Sequence, residues 1–131
     1  MSEKKYTVLL VDDDKFLLDM YSVKFKEHGL QVLVSYGGED ALKQLREGAK
    51  PDAIVLDMVM PGITGTELLE TVEKEKLGGG MVRIVLSNQG QESDIEAAKK
   101  LGADGYIVKA NSVPSEVLDK VINIIENKSE K

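Results

Sequence analysis

Four stretches of this chain are short, nearly uninterrupted apolar runs: Thr7 to Val11, Ala53 to Leu56, Val82 to Leu86 and Tyr106 to Val108. Runs of that length suit strands covered on both faces, the condition of a parallel sheet. A fifth stretch, Gln31 to Tyr36, alternates Val32 and Val34 against polar neighbours and suits a strand nearer the sheet edge. Between them the spacing turns helical, with Ala41, Leu42 and Leu45, then Leu68, Leu69 and Val72, then Ile95, Ala98 and Leu101 on single faces. The last segment sets Val113, Val117, Val121 and Ile124 on one stripe, after Ser112 as the expected N-cap and Pro114 in the first turn. Gly29, Gly48 and Gly102 stand where left-handed C-caps are needed, with His28 and Lys100 favourable to those carboxyl ends. Five strand-then-helix units predict an α/β, doubly wound fold: a five-stranded parallel sheet with five helices and right-handed crossovers.

A chain of 131 residues, 42% hydrophobic and 31% charged, can bury enough apolar surface to fold as one domain. The reading is a single domain over 1–131, with an ordered core over about 5–126 and a polar tail, Asn127 to Lys131, that frays. A net charge of -6 lacks the footprint of a nucleic-acid binder, so no direct nucleic-acid partner is expected. The absence of cysteine excludes disulfides, thiolate metal sites and thiol catalysis. The opening MSEKKYTVLLVDDD has an apolar run too short for a signal sequence or a membrane span, so the expected location is cytoplasmic and no membrane partner is expected. Gly78 to Gly80 precede the fourth strand without the Lys or Ser of a phosphate loop, and read as a flexible connector.

In a doubly wound sheet, ligands bind beyond the carboxyl ends of the strands. Polar residues mark those ends: Asp12 and Asp13 after strand one, Asp57 after strand three, Ser87 after strand four and Lys109 after strand five. Each has an ordinary reading, as an N-cap or first-turn charge for Asp12 to Asp14, a turn cap for Asp57, a turn residue for Ser87 and a surface lysine for Lys109. Separate segments placing suitable groups at one rim favour convergence. Two unit charges about 4 Å apart repel by roughly 4 kcal/mol at an effective dielectric of 20, so clustered carboxylates call for a cation. Oxygen ligands without His or Cys select a hard one, Mg²⁺. Beside it Asp57 becomes a candidate nucleophile toward phosphorus, with Lys109 and Ser87 able to engage phosphoryl oxygens.

The stretches VLLVDDD, DAIVLDMVMPGITGTEL, VRIVLSNQG and GADGYIVKA, in this order and spacing, resemble the receiver domains of bacterial two-component response regulators, the CheY-like superfamily. The resemblance covers nearly the whole chain. It implies the strand order 2-1-3-4-5, direct Mg²⁺ ligation by Asp13, a role for Asp12 through water or a hydrogen bond, Asp57 as phosphoacceptor, and the Val59 carbonyl as a further metal ligand. It implies a switch made by Ser87, Tyr106 and Lys109: the Ser87 hydroxyl is drawn to the phosphoryl group, the following loop moves inward, and Tyr106 rotates into the vacated space. The expected partners are a sensor histidine kinase or histidine phosphotransfer protein, and a downstream protein target on the face of the fourth helix, fifth strand and fifth helix. The protein is then no enzyme beyond its own phosphorylation and dephosphorylation. It is expected to stand alone as a phosphorylation-activated signalling switch.

Three departures from the family pattern bear on this. Ala110 replaces the usual proline after Lys109, and a non-proline cis bond costs about 2.5 to 4 kcal/mol, so a trans peptide is expected there. Asn88 stands where a small residue is usual and either narrows access for small phosphodonors or touches the phosphoryl group. Val59 and Gln89 hold positions that by family analogy influence the attack of water. The alternatives are a pseudo-receiver acting as a phosphorylation-independent interaction module, or an intermediate carrier in a phosphorelay. An aspartyl-nucleophile phosphatase would want a second acid at Val59, and a flavodoxin-like carrier would meet repulsion from Asp12 to Asp14. The first helix carries Phe16, Leu17, Leu18, Met20, Tyr21, Val23 and Phe25, more apolar surface than one stripe, read as kinase docking or as local packing.

Overall fold

The structure is a computed structural model and describes residues 6–87, 92–109 and 113–129. The elements run β1 (Thr7–Val11), α1 (Lys15–Glu27), β2 (Gln31–Ser35), α2 (Gly38–Arg46), β3 (Ala53–Leu56), α3 (Gly65–Glu75), β4 (Val82–Ser87), α4 (Glu92–Lys100), β5 (Gly105–Val108) and α5 (Pro114–Ser129). All strand pairs are parallel and the sheet order is β2-β1-β3-β4-β5. The fold and strand order are those expected, with the mixed strand β2 on one edge.

Strand alternation divides the core into two layers. Val8, Leu10, Ala53, Val55, Ile84 and Leu86 face α1 and α5, where Leu18, Phe25, Val117 and Val121 meet them. Leu9, Val11, Ile54, Leu56 and Val85 face the other way, onto Leu42 and Leu45 of α2, Leu68 and Val72 of α3 and Ala98 of α4. This double coverage explains why the central strands read as continuous apolar runs. Each fully buried Leu, Ile or Phe contributes roughly 1.5–3 kcal/mol relative to exposure.

Two expectations are corrected. Gly78 to Gly80 are a defined turn: a 3₁₀ segment, Leu77–Gly79, in which Gly78, Gly79 and Gly80 all have positive φ. Gly78, at φ 79°, takes the left-handed conformation that favours glycine, with the Met81 side chain packed close against it. The closing helix also continues through Asn127 and Lys128 to Ser129. The Lys128 ammonium bonds the Asp104 carboxylate at 3.1 Å and the Tyr6 hydroxyl donates to Glu126 at 3.2 Å, giving the polar last turns partners. The glycines expected to follow helices, Gly29, Gly48 and Gly102, do take positive φ. Ser112 lies outside the described residues.

Candidate functional site

The rim is laid out by backbone hydrogen bonds that carry the ladder past the strand ends. Asp57 N donates to the Val11 carbonyl at 3.1 Å, and Asp12 N donates to the Ser35 carbonyl at 3.2 Å. Because Val11 pairs with Leu56 in register, Asp12 and Asp57 emerge side by side from adjacent strands. Ser87 ends β4 opposite Val108, so Lys109 follows at the same level. Residues 12 and 109, far apart in the chain, thereby meet.

The Lys109 ammonium lies 2.6 Å from Asp12 Oδ2 and 3.2 Å from Asp57 Oδ2, with only 9% of its side chain exposed. Asp12 and Asp57 are buried, at 3% and 7% exposure, and Asp13 is exposed beside them. Burial pushes the Asp57 carboxyl above the ordinary aspartate range, against the pull of Lys109 and of the Val59 amide, which donates to Asp57 Oδ1 at 3.2 Å; the Asp12 charge pushes the same way as burial. For Lys109, burial alone would lower the pKa, but the hydrogen bond and charge of Asp12, joined by Asp57, hold it above the ordinary lysine value. Burial thus outweighs the ammonium at Asp57, whereas at Lys109 the two carboxylates, Asp12 first, outweigh burial.

Asp12, Asp13 and Asp57 each offer an oxygen within 4.8 Å of the others, a donor set that can hold a hard metal ion. They line, with Asp14, Val59, Ser87 and Lys109, an open cleft of about 360 Å³. All the residues expected to hold metal or phosphate therefore meet there, although Lys109 bonds two carboxylates rather than standing apart from them. Val59 lines the cleft and is 73% exposed. Tyr106 does not line the cleft; it is half-buried on β5 and packs against the core layer beneath α4. The ordinary capping role weighed for the acidic run holds for Asp14 alone, whose Oδ1 accepts from Leu17 N at 3.1 Å as the α1 N-cap. Asn88, Gln89 and Ala110, and with Ala110 the peptide bond after Lys109, lie outside the described residues.

Two supports of the site escaped the sequence reading. A Cβ on Gly65 would sit 2.4 Å from the Asp57 carbonyl oxygen and 2.6 Å from Met58 Cα, and Gly65 N donates to the Met58 carbonyl at 3.0 Å. Only glycine lets the start of α3 rest against the backbone carrying Asp57. The adjoining Thr64-x-x-Glu67 is a capping box, with Thr64 Oγ1 accepting from Glu67 N and the Glu67 carboxylate accepting from Thr64 N, a signal legible in the sequence. Tyr21 is the second support: it is buried on α1, burial raises its hydroxyl pKa, and the charges of Lys109 and Asp12 act on it from the site.

On α1, Leu18, Tyr21 and Phe25 go inward, while Phe16 is 89% exposed and Met20 and Val23 also face outward. Met20 and Val23 share a groove with Pro114 at the start of α5. Packing accounts for the inward face of this helix, and Phe16, Met20 and Val23 form an exposed apolar strip on the other.

Comparison with known proteins agrees with this geometry. The profile of the response regulator receiver domain family matches residues 8–122. The chain is 31% identical over 118 residues to protein PilH of Pseudomonas aeruginosa, covering 90% of this chain and 95% of PilH. It is 32% identical over 125 residues to the transcriptional regulatory protein AfsQ1 of Streptomyces coelicolor, covering 95% of this chain but only 53% of AfsQ1. Among solved structures, a CheY-like response regulator receiver domain protein from Methanospirillum hungatei superposes with a TM-score of 0.85 at 25% identity, covering 97% of this chain and 98% of that one. Chemotaxis protein CheY4 of Vibrio cholerae gives 0.84 at 26% identity, covering 92% and 99%. Among the described residues no helix is long and apolar enough to cross a membrane.

Proposed function

The chain belongs to the response regulator receiver domain family of two-component signalling, and on that premise we propose that it is a switch activated by phosphorylation of Asp57. The donor is a phosphohistidine on a sensor histidine kinase or a phosphotransfer protein. The observation that carries this reading is the crowding of three carboxylates within 4.8 Å, two of them buried and sharing one ammonium. A fold has no structural need for such an excess of buried charge.

An Asp57 carboxylate oxygen forms the new bond to phosphorus while the phosphorus–nitrogen bond to the donor imidazole breaks, and the imidazole leaves with that electron pair. Asp57 presents both oxygens in fixed positions, one held by the Val59 amide and one by Lys109. Lys109 is placed to follow a phosphoryl oxygen, and Ser87, at the end of β4, lines the same cleft with its hydroxyl available to engage another. Asp12, Asp13, Asp57 and the Val59 carbonyl would hold Mg²⁺, which supplies charge neutralisation between the carboxylates and the incoming phosphoryl oxygens. The all-oxygen set fits that ion and offers nothing to a softer one.

Movement of Ser87 toward the phosphoryl group would relax the core beneath α4, where Tyr106 packs, and alter the α4-β5-α5 face toward a downstream protein. The apolar strip of Phe16, Met20 and Val23 lies on the helix that Asp14 caps at the cleft, so a helical donor seated there would bring its histidine to Asp57. The protein acts in the cytoplasm and catalyses only its own phosphorylation and dephosphorylation. Incubation with a phosphorylated histidine phosphotransfer protein or acetyl phosphate, with Mg²⁺, is expected to add one phosphoryl mass to wild type and none to Asp57→Asn. No addition from any donor would instead favour a phosphorylation-independent interaction module.

A further inference from the structure

The mouth of the cleft has a charge asymmetry that the acceptor chemistry does not need. Asp14 lines it and is exposed, yet Asp12, Asp13 and Asp57 by themselves supply the clustered oxygens. The one cation lining the cleft among the described residues, Lys109, is already bonded to two carboxylates. Lys15, the next cation along α1, sits over the Tyr36 ring at 5.3 Å from its centroid. An anion approaching from water thus meets, among the described lining residues, four carboxylates against one ammonium.

We infer that Asp14 is a specificity-determining residue that selects against small, free anionic phosphodonors in favour of a phosphohistidine carried by a docked protein. The inference rests on the phosphoacceptor reading of Asp57. A docked donor reaches the cleft by apolar contact with the strip of Phe16, Met20 and Val23, and its phosphohistidine is held by the protein–protein contact as it passes the mouth. A free dianion has only the electrostatic term, and that term opposes it. The cap on α1 needs only a side-chain oxygen at position 14, which asparagine provides as well as aspartate, so the charge at Asp14 is separable from the fold.

The experiment compares wild type with Asp14→Asn, following phosphorylation of Asp57 by intact mass with Mg²⁺ present. The donors are acetyl phosphate, a dianion at neutral pH, phosphoramidate, a monoanion, and a phosphorylated histidine phosphotransfer protein. At low salt, Asp14→Asn is expected to react about five-fold faster with acetyl phosphate, as one carboxylate roughly 8 Å from a dianion in water requires. The gain should be smaller with phosphoramidate, absent with the protein donor, and gone at about 1 M salt, where the screening length is about 3 Å. Equal rates of the two proteins with acetyl phosphate at low salt, or a gain that persists in high salt, would overturn the role of Asp14 and leave Asp57 as acceptor untouched. Failure of both proteins to gain a phosphoryl group from any donor would overturn the acceptor reading and this inference with it. Thermal melts of the two proteins should coincide, and a lower melting temperature for Asp14→Asn accompanied by unchanged rates counts against the selective role.

Discussion

At the amino-terminal ends of the strands, Asp52 and Asp104 each precede a strand and accept from a backbone amide of its neighbour, Thr7 N and Arg83 N, both at 2.8 Å. Each returns its own amide to the same residue's carbonyl, at 2.8 Å for Asp52 and 2.6 Å for Asp104. These carboxylates finish the sheet where its ladder starts, and Lys128 joins Asp104 from the surface with 42% of its side chain exposed. At the carboxyl ends, Asp12 and Asp57 are buried, find one local amide each, and must divide a buried lysine between them. The two rims use the same residue types. The first satisfies its charges within the fold, whereas the second leaves demand for more positive charge, which is what a binding site requires and a scaffold avoids.

The sharpest test of this contrast removes the lysine from each rim. Lys109→Met leaves two buried carboxylates facing each other and is expected to cost about 3 kcal/mol of unfolding free energy in chelator, read by urea denaturation. Lys128→Met breaks an exposed pair and should cost less than about 1 kcal/mol. Similar losses would show the rims to be energetically alike. A divalent cation sharpens the contrast from the other side: Mg²⁺ at about one hundred times its dissociation constant should stabilise wild type by about 2.7 kcal/mol. Asp52→Asn should retain that gain and Asp13→Asn should lose most of it, as followed by thermal melts across a Mg²⁺ titration.

The smallest effect concerns Asp57, whose folded-state pKa lies above the unfolded value through burial. The folded protein therefore holds that proton more tightly than the unfolded chain, a stabilising term fully present below about 3.8 and lost as pH rises through the folded pKa. Asp57→Asn keeps a neutral side chain at every pH. It should be more stable than wild type near neutral pH without metal, by less than either effect above, with the difference closing as pH falls toward the ordinary aspartate value. Urea titrations across that range check it. A variant less stable than wild type at neutral pH would give Asp57 a structural role like that of Asp52.

The rim was legible because a parallel sheet forces it. Once Thr7 to Val11 and Ala53 to Leu56 read as buried strands, Asp12 and Asp57 had to follow them at one end, and Ser87 and Lys109 did the same for β4 and β5. What stayed hidden depends on distances that no local pattern encodes. Lys109 prefers Asp12, a partner 97 positions away, and the need for glycine at Gly65 exists only because α3 starts against the Asp57 carbonyl. Asn127 and Lys128 look like a fraying tail until the Asp104 carboxylate is seen beside them. Gly78 to Gly80 look like slack for a similar reason, since composition records their freedom and not the left-handed conformations in which it is used. The mixed helix α1 was ambiguous because its sequence serves two surfaces, a core face through Leu18, Tyr21 and Phe25 and an outer strip through Phe16, Met20 and Val23.

The bonds from Lys128 to Asp104 and from Tyr6 to Glu126 bring the last described turns of α5 and the residue before β1 to one pole of the sheet, while the acidic cleft occupies the other. A fluorophore or sensor-chip linkage placed on the last described turn of α5 would therefore sit on the far side from the cleft. Molecules tethered that way would present their clefts outward in a common orientation, which makes the domain well suited to measuring donor docking on a surface.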